Sequence, residues 1–455
     1  LAFCLAACVW CCGCAGFLHT SGARYEEAHK LLHSGEYGTA AATMSQALER
    51  APKKDRALYL VETGMLAHFA REHQRSNRLL EQAEQAIQAN YTRSMSQIAA
   101  SLLVNDNMLA YFGEDYENVY INCFKALNYL ALGNPQSAFV EVRRMDEKME
   151  VLGDRHGRWA EVINRQGKVE TRISAAPNRF VTSALGRYLG LLLYRAEGSF
   201  DDARIDLKKM REAWRSQPDI YDFPRPDFAH LLDPLADGLC RVNVLAFTGL
   251  APRKEARRLS VHTHKNRVTL VEATRPAGEM GIGTVSTIRW QGMEPGLSFQ
   301  FEIPMIERRG SNVARIEVRC AGRSIAPQQI ESPQNAALAT FRTKLPLIYS
   351  KAVFRTVTKG LAAERLKEEM TESGRVNPFL NVVVDAAVGV TEQADLRIAH
   401  FLPAKAYAAE MHLPPGTHEV AVSFFDEHGR LLKTSSHPID ATRNTINLVE
   451  AFCLQ

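Results

Sequence analysis

The chain has 455 residues, long for one domain and enough for two or three. Its 46% hydrophobic and 23% charged composition, with 28 glycines and 19 prolines, excludes a disordered or fibrous chain. The 55 basic and 51 acidic residues leave a net charge of +4, too small for a nucleic-acid-binding surface unless concentrated on one face.

Five of the nine cysteines fall in the first fourteen residues, inside the apolar run "LAFCLAACVWCCGCAGF". Three readings compete. The Cys8-x-x-Cys11 pair has redox or zinc spacing, but no second ligand pair follows it. A buried or spanning helix is the second, and the run is only marginally long enough for it. The third fits best: a short apolar region ending in small residues reads as a secretion signal. With Gly13 before Cys14, "CCGCAG" resembles a bacterial lipoprotein signal, which implies lipidation of Cys14. An initiating Met and a charged leader are missing, so residues 1–13 are expected to be part of the signal and 14–21 a lipidated tether. Ala15 stands where an acidic residue would signal inner-membrane retention. The resemblance to Gram-negative lipoproteins therefore implies the outer membrane, on its periplasmic face. Cys123, Cys240, Cys320 and Cys453 are isolated and argue against a disulfide framework.

From 22 to 217 apolar residues recur at three- and four-residue steps, which predicts helices. A short phrase returns as "GEYGTA" (35–40), "GNPQSA" (133–138) and "GSFDDA" (198–203). Glycine ends one helix, a ring or proline packs the turn, and alanine lets the next helix approach. The pattern resembles the 34-residue tetratricopeptide repeat, with a degenerate unit expected at 58–87. The polar stretch 153–178 reads as a loop or lid. Three prolines in "SQPDIYDFPRPDF" predict a linker over 218–240.

Beyond 240 the apolar period becomes two, which predicts strands broken by Gly, Pro and polar turns. A helical block interrupts them over about 335–399, with Pro346 inside it. Strands on both sides of the block are expected to form one sheet pair. The fold class expected is therefore α+β multidomain: a TPR-like α-solenoid, then a β-sandwich-like domain over 241–455 with an inserted helical block.

The succession "RVNVLAFTGLAPRKEARR", "ATFRTKLPLIYSKAVFRTVTKG", "TEQADLRIAHFLP" and "LPPGTHEV" resembles a family of bacterial TPR-containing lipoproteins of unknown function. Members are often encoded near lipoproteins that activate peptidoglycan synthases, which implies a role in the cell envelope.

No GxSxG, HExxH or GxxxxGK[ST] signature occurs. "GEMGIGT" (278–284) has no helix after it to bring a dipole to a phosphate and reads as a turn. His262 and His264 share a strand face but lack a third metal ligand, and "RKEARR" (253–258) reads as a charged linker. Arg355 and Lys359 stand one helical turn apart. With Glu392, Asp395 and Arg397 around a helix end, they are expected to form an ion-pair cluster tying the inserted helices to the sheet, or else a contact site. Repeat register puts Tyr25, His29, Tyr120, Tyr188 and Arg195 on the concave face, where rings and an arginine suit capture of a protein partner. The function expected is a lipid-anchored adaptor without enzymatic activity, cofactor, metal or nucleic-acid partner. The alternative is a lipoprotein that binds peptidoglycan or polysaccharide.

Overall fold

The computed structural model describes residues 24–96, 104–165, 179–274, 281–290, 293, 295–296, 298–372 and 393–455. The chain is a mixed α+β protein, and Cys14 lies outside the described residues. Among the described residues eight α-helices come first: α1 (24–33), α2 (Tyr37–Glu49), α3 (Arg56–Phe69), α4 (His73–Ser96), α5 (Asp115–Ala131), α6 (Pro135–Arg165), α7 (Ala184–Glu197) and α8 (Phe200–Ser216). They form four antiparallel hairpins, each closed by the same turn. One residue takes left-handed φ: Gly35 (82°), Arg71 (63°), Gly133 (71°) and Gly198 (78°). Its N–H donates three residues back and the next N–H five back, as in Gly133 to Leu130 and Asn134 to Tyr129. This is the Schellman arrangement, which satisfies the last carbonyls of the first helix.

Twelve strands follow among the described residues. One sheet has the order β12-β1-β9-β8, from β12 (Asn447–Cys453), β1 (Cys240–Leu250), β9 (Pro403–Leu413) and β8 (Gln328–Glu331). β1 and β12 run parallel, with Val242 opposite Asn447 and Phe247 opposite Phe452. A second sheet, β11-β10-β6-β7, comprises β11 (Leu431–Ala441), β10 (Gly416–Phe425), β6 (Arg315–Cys320) and β7 (Arg323–Ile325). A third, β4-β3-β2-β5, comprises β4 (Gly281–Arg289), β3 (Arg267–Thr274), β2 (Arg253–His264) and β5 (Ser298–Glu307). Helix α9 (Pro333–Glu372) connects β8 toward β9.

The side chains of β1, nearly all buried, alternate between two cores, because successive side chains point to opposite faces. Leu245 and Phe247 join the core of the helical half, together with Phe452 and Leu454. Val242, Val244 and Ala246 share a different core with Val318, Val420, Val422 and Phe424 of the second sheet. The first sheet is therefore the middle layer, apolar on both faces.

Several expectations are corrected. The strands do not make one sheet pair, since β2–β5 form a sheet of their own. Leu347, Val353, Phe354 and Val357 of α9 cover that sheet. "RKEARR" is the first half of β2, and β4 begins inside "GEMGIGT" at Gly281; 278–280 lie outside the described residues. Helix α6 runs through 153–165, where a loop was expected; 166–178 are not described. The stretch 218–240 is no loose linker, for Tyr221, Phe223 and Phe228 surround Trp214 with ring centroids 4.6, 5.5 and 5.8 Å away. The described part of the helical block runs to Glu372, 373–392 lie outside the described residues, and 393–399, where helix was expected, form neither helix nor strand.

Candidate functional site

The inner face of the hairpins is filled by the chain itself. Tyr25 lies against His400 and stacks on Phe401, at 5.3 and 6.2 Å between centroids. His29 meets the same Phe401 ring at 4.8 Å. Tyr120 is fully buried and stacks on Phe180. The Tyr188 hydroxyl donates to Asn243 of β1 at 3.0 Å. Arg195 reaches Glu410 of β9 at 2.7 Å. The expectation that these five residues offer a free concave surface is thus corrected. The first sheet and the 398–402 segment present the apolar area that they cover.

Five buried carboxylates span the same junction. Glu62 accepts the N–H groups of His400 (2.7 Å) and Phe401 (3.1 Å). Glu117 accepts the Ala399 N–H and the Tyr111 hydroxyl, both at 2.6 Å. Glu331 of β8 accepts the Ser183 hydroxyl and the Leu185 N–H at the start of α7. Glu410 joins Arg195, and Glu450 lies 3.1 Å from the His68 ring. Burial raises Glu62 to about 8, and it also raises Glu117 and Glu331.

A formed concavity remains where the helical half, α9 and the third sheet meet. Its volume is about 140 Å³, close to the cavity size of about 150 Å³ known to accept one aromatic ring. Helix α9 contributes Lys344, Leu347, Ile348, Lys351 and Arg355, spaced so that all share one face. The loop before α5 supplies Asp106, Tyr111, Phe112 and Glu114, and the first residue of that helix is Asp115. Lys254 enters from β2, Ile303 and Pro304 from β5, and Asp395 and Arg397 from the extended segment.

The charges are paired. Lys254 and Lys344 approach Glu114 at 2.6 and 2.9 Å, and Lys344 also reaches Asp115 at 3.3 Å. Lys351 stands 2.5 Å from Asp106. Arg397 binds Asp395 at 2.7 Å and Asp55 at 2.9 Å, and donates to the carbonyls of Leu109 and Asp106. Burial acts to raise the Glu114 carboxyl, but Lys254 and Lys344 override it and hold it at about 2. Asp106 is lowered in the same way: Lys351 and Arg355 outweigh its burial. Burial acts to lower Lys344, yet Asp115 and Glu114 keep it above the ordinary lysine value. These groups keep their charge across the physiological range. The cleft therefore offers fixed charges and rings, which suit recognition.

Three residues of the expected ion-pair cluster do converge here. Arg355 donates to the Val104 carbonyl and Arg397 to those of Asp106 and Leu109. They tie α9 and the 393–399 segment to a loop of the helical half, where a tie to the sheet was expected. The Lys359 side chain and Glu392 lie outside the described residues. Sequence reasoning missed Lys344 and Lys351, although their seven-residue spacing, with Arg355 four residues further on, carries the signal. It also missed Glu114, at the start of α5, and Lys254, hidden in "RKEARR". His262 lies on β2, and among the described residues no group of histidines, cysteines and carboxylates has metal-holding geometry. The four described cysteines are free and buried. Among the described residues no helix is long and apolar enough to cross a membrane. Comparison with known families, curated proteins and solved structures finds no match to this chain.

Proposed function

We propose that this chain is a lipid-anchored adaptor of the bacterial cell envelope, without enzymatic activity, that grips a protein partner at the cleft beside α9. On this reading the family resembled is the right one, the hairpins are TPR-like units, and the first two sheets form a sandwich that plugs the solenoid. The observation that supports the choice of site is the filling of the hairpins' inner face by the first sheet, described above. It leaves the cleft as a formed concavity in which rings and fixed charges converge. One ring-bearing side chain of the partner fills it, the usual anchor of a protein interface. The lipid on Cys14 confines both partners near the membrane and raises their effective concentration.

The test places a photo-crosslinking residue at Gln393, on the cleft rim, and at Glu427, in the turn after β10, in intact cells. A discrete protein adduct from Gln393 alone is expected, and adducts from neither site, or equally from both, would overturn the assignment. Processing and fractionation unchanged by Cys14→Ser would remove the anchor. A second reading, glycan binding, draws support from Tyr91 and Phe112, whose rings meet edge to face at 6.1 Å on the cleft wall. Retention of the full chain on isolated sacculi, lost in Phe112→Ala, would favour it.

A further inference from the structure

Helix α8 carries a cationic row that the cleft does not use. Arg204, Lys208, Arg211 and Arg215 recur at steps of four, three and four, so they occupy one face. All four are exposed. Arg225, from the segment after the helix, faces them across a groove of about 370 Å³, and Glu212 is the single acid that lines it. Arg204 pairs with Asp201, and Arg215 lies 3.8 Å from Glu212. Lys208, Arg211 and Arg225 have no ion-pair partner among the described residues. Phe200 continues the row one turn toward the helix N-terminus and is 47% exposed.

Two features identify the occupant. Arg204 has Asp201 and Arg215 has Glu212 nearby, and the three cations left without an acid favour an anionic surface. The row spans eleven residues, about 16 Å of helix, so its charges lie side by side and do not converge on one ion. The opposite, apolar face of α8, with Ala203, Met210 and Ala213, is buried in the protein, so the charges supply the attraction and Phe200 adds one exposed ring beside them. The contrast with "RKEARR" is instructive. There Arg253 pairs with Glu255, Lys254 with Glu114 and Arg258 with Glu302, which leaves little field to attract anything.

We infer that this face of α8 docks on the phosphate-bearing surface of an anionic phospholipid leaflet. The inference rests on the envelope reading for the membrane being at hand. It supplies a second contact that orients the anchored protein. A lone tether leaves the body free to swivel, whereas a row of charges on an outer helix fixes which side faces the lipid.

The test uses the purified full chain carrying Cys14→Ser, floated with vesicles of phosphatidylcholine alone or mixed with phosphatidylglycerol. Partition onto the mixed vesicles that falls with added salt is expected. Each neutralised cation should weaken it about fivefold, so Lys208→Gln/Arg211→Gln/Arg215→Gln should weaken it about a hundredfold with an unchanged melting temperature. The apolar run before residue 18 is common to both proteins, so their ratio reads the row alone. Equal partition of the parent and the triple variant would overturn the inference. So would displacement by inorganic phosphate at constant ionic strength, which would mark a discrete anion pocket. Fractionation of the anchored protein does not depend on this result, so failure of the docking face and failure of the tether are distinguishable.

Discussion

A few buried side chains at the helix–sheet junction set how stability depends on pH. The His29 ring lies 6.3 Å from His33 and 5.8 Å from His400. Burial, reinforced by the Arg309 guanidinium, holds His29 at about 4 and His400 at about 3, and it lowers His33 as well. An unfolded histidine takes up its proton near 6.5. Stability therefore falls as pH drops below about 6.5, because the unfolded chain binds protons that the folded one refuses. Glu62 acts in the opposite window. Burial lifts it from 4.5 to about 8, so the folded chain keeps a proton that the unfolded chain loses, and stability falls as pH rises between those values. A melting-temperature maximum near pH 6 is expected, with Glu62→Gln flattening the alkaline limb. At the cleft, Arg397→Ala strips Asp395 and Asp55 of their shared cation and leaves the Leu109 carbonyl without its donor, while the Asp106 carbonyl keeps the Leu109 N–H. A loss of about 3–5 kcal/mol in urea unfolding is expected. Lysine should restore little, because a single ammonium cannot reproduce the planar fork.

Helices and strands show why some of the architecture could be read in advance and some could not. The glycines of three hairpin turns were visible because only glycine takes left-handed φ without strain. The fourth turn was hidden by Arg71, whose guanidinium covers the Phe452 ring at 4.7 Å. That contact accounts for a side chain at a position where the backbone prefers none. Gly133→Ala, with open space around the added methyl, should cost about 1 kcal/mol through the backbone alone, seen as a lowered denaturation midpoint. Lys125 staples α4, α5 and α6. Its ammonium, almost wholly buried, reaches Glu81, Glu84 and Glu141 at 2.5, 2.8 and 3.1 Å. Lys125→Met should cost about 3–5 kcal/mol by leaving three acids together. The strands after 240 were legible from their alternation, but their division into sheets was not. Pairing is fixed by which apolar faces meet, and β2–β5 meet α9. The cleft escaped for a related reason: its charges come from five separate segments, and each looks like ordinary surface until the fold brings them together. The row on α8 had a readable period, yet contiguous "RKEARR" was the more conspicuous motif.

At the scale of the whole molecule, helical half and sheets are parts of one body. Leu245, Phe247 and Phe452 face the hairpins, and Arg195–Glu410 and His68–Glu450 cross the boundary. The portion from 240 to 455 made alone would expose that apolar face to water, and it is expected to aggregate. Urea unfolding of the full chain should show one transition by helix-sensitive and tryptophan-sensitive signals alike. Two separated transitions would argue for independent halves.

The parallel pairing of β12 with β1 has a temporal consequence. Residues 447–453 follow the other described elements in the chain, yet they pair beside β1 and bring Phe452 against Phe69. Whatever threads this polypeptide onward, a ribosome or a secretion pore, must release this strand before the centre can close. Until then the hairpins stand open, so the finished shape forms late and all at once.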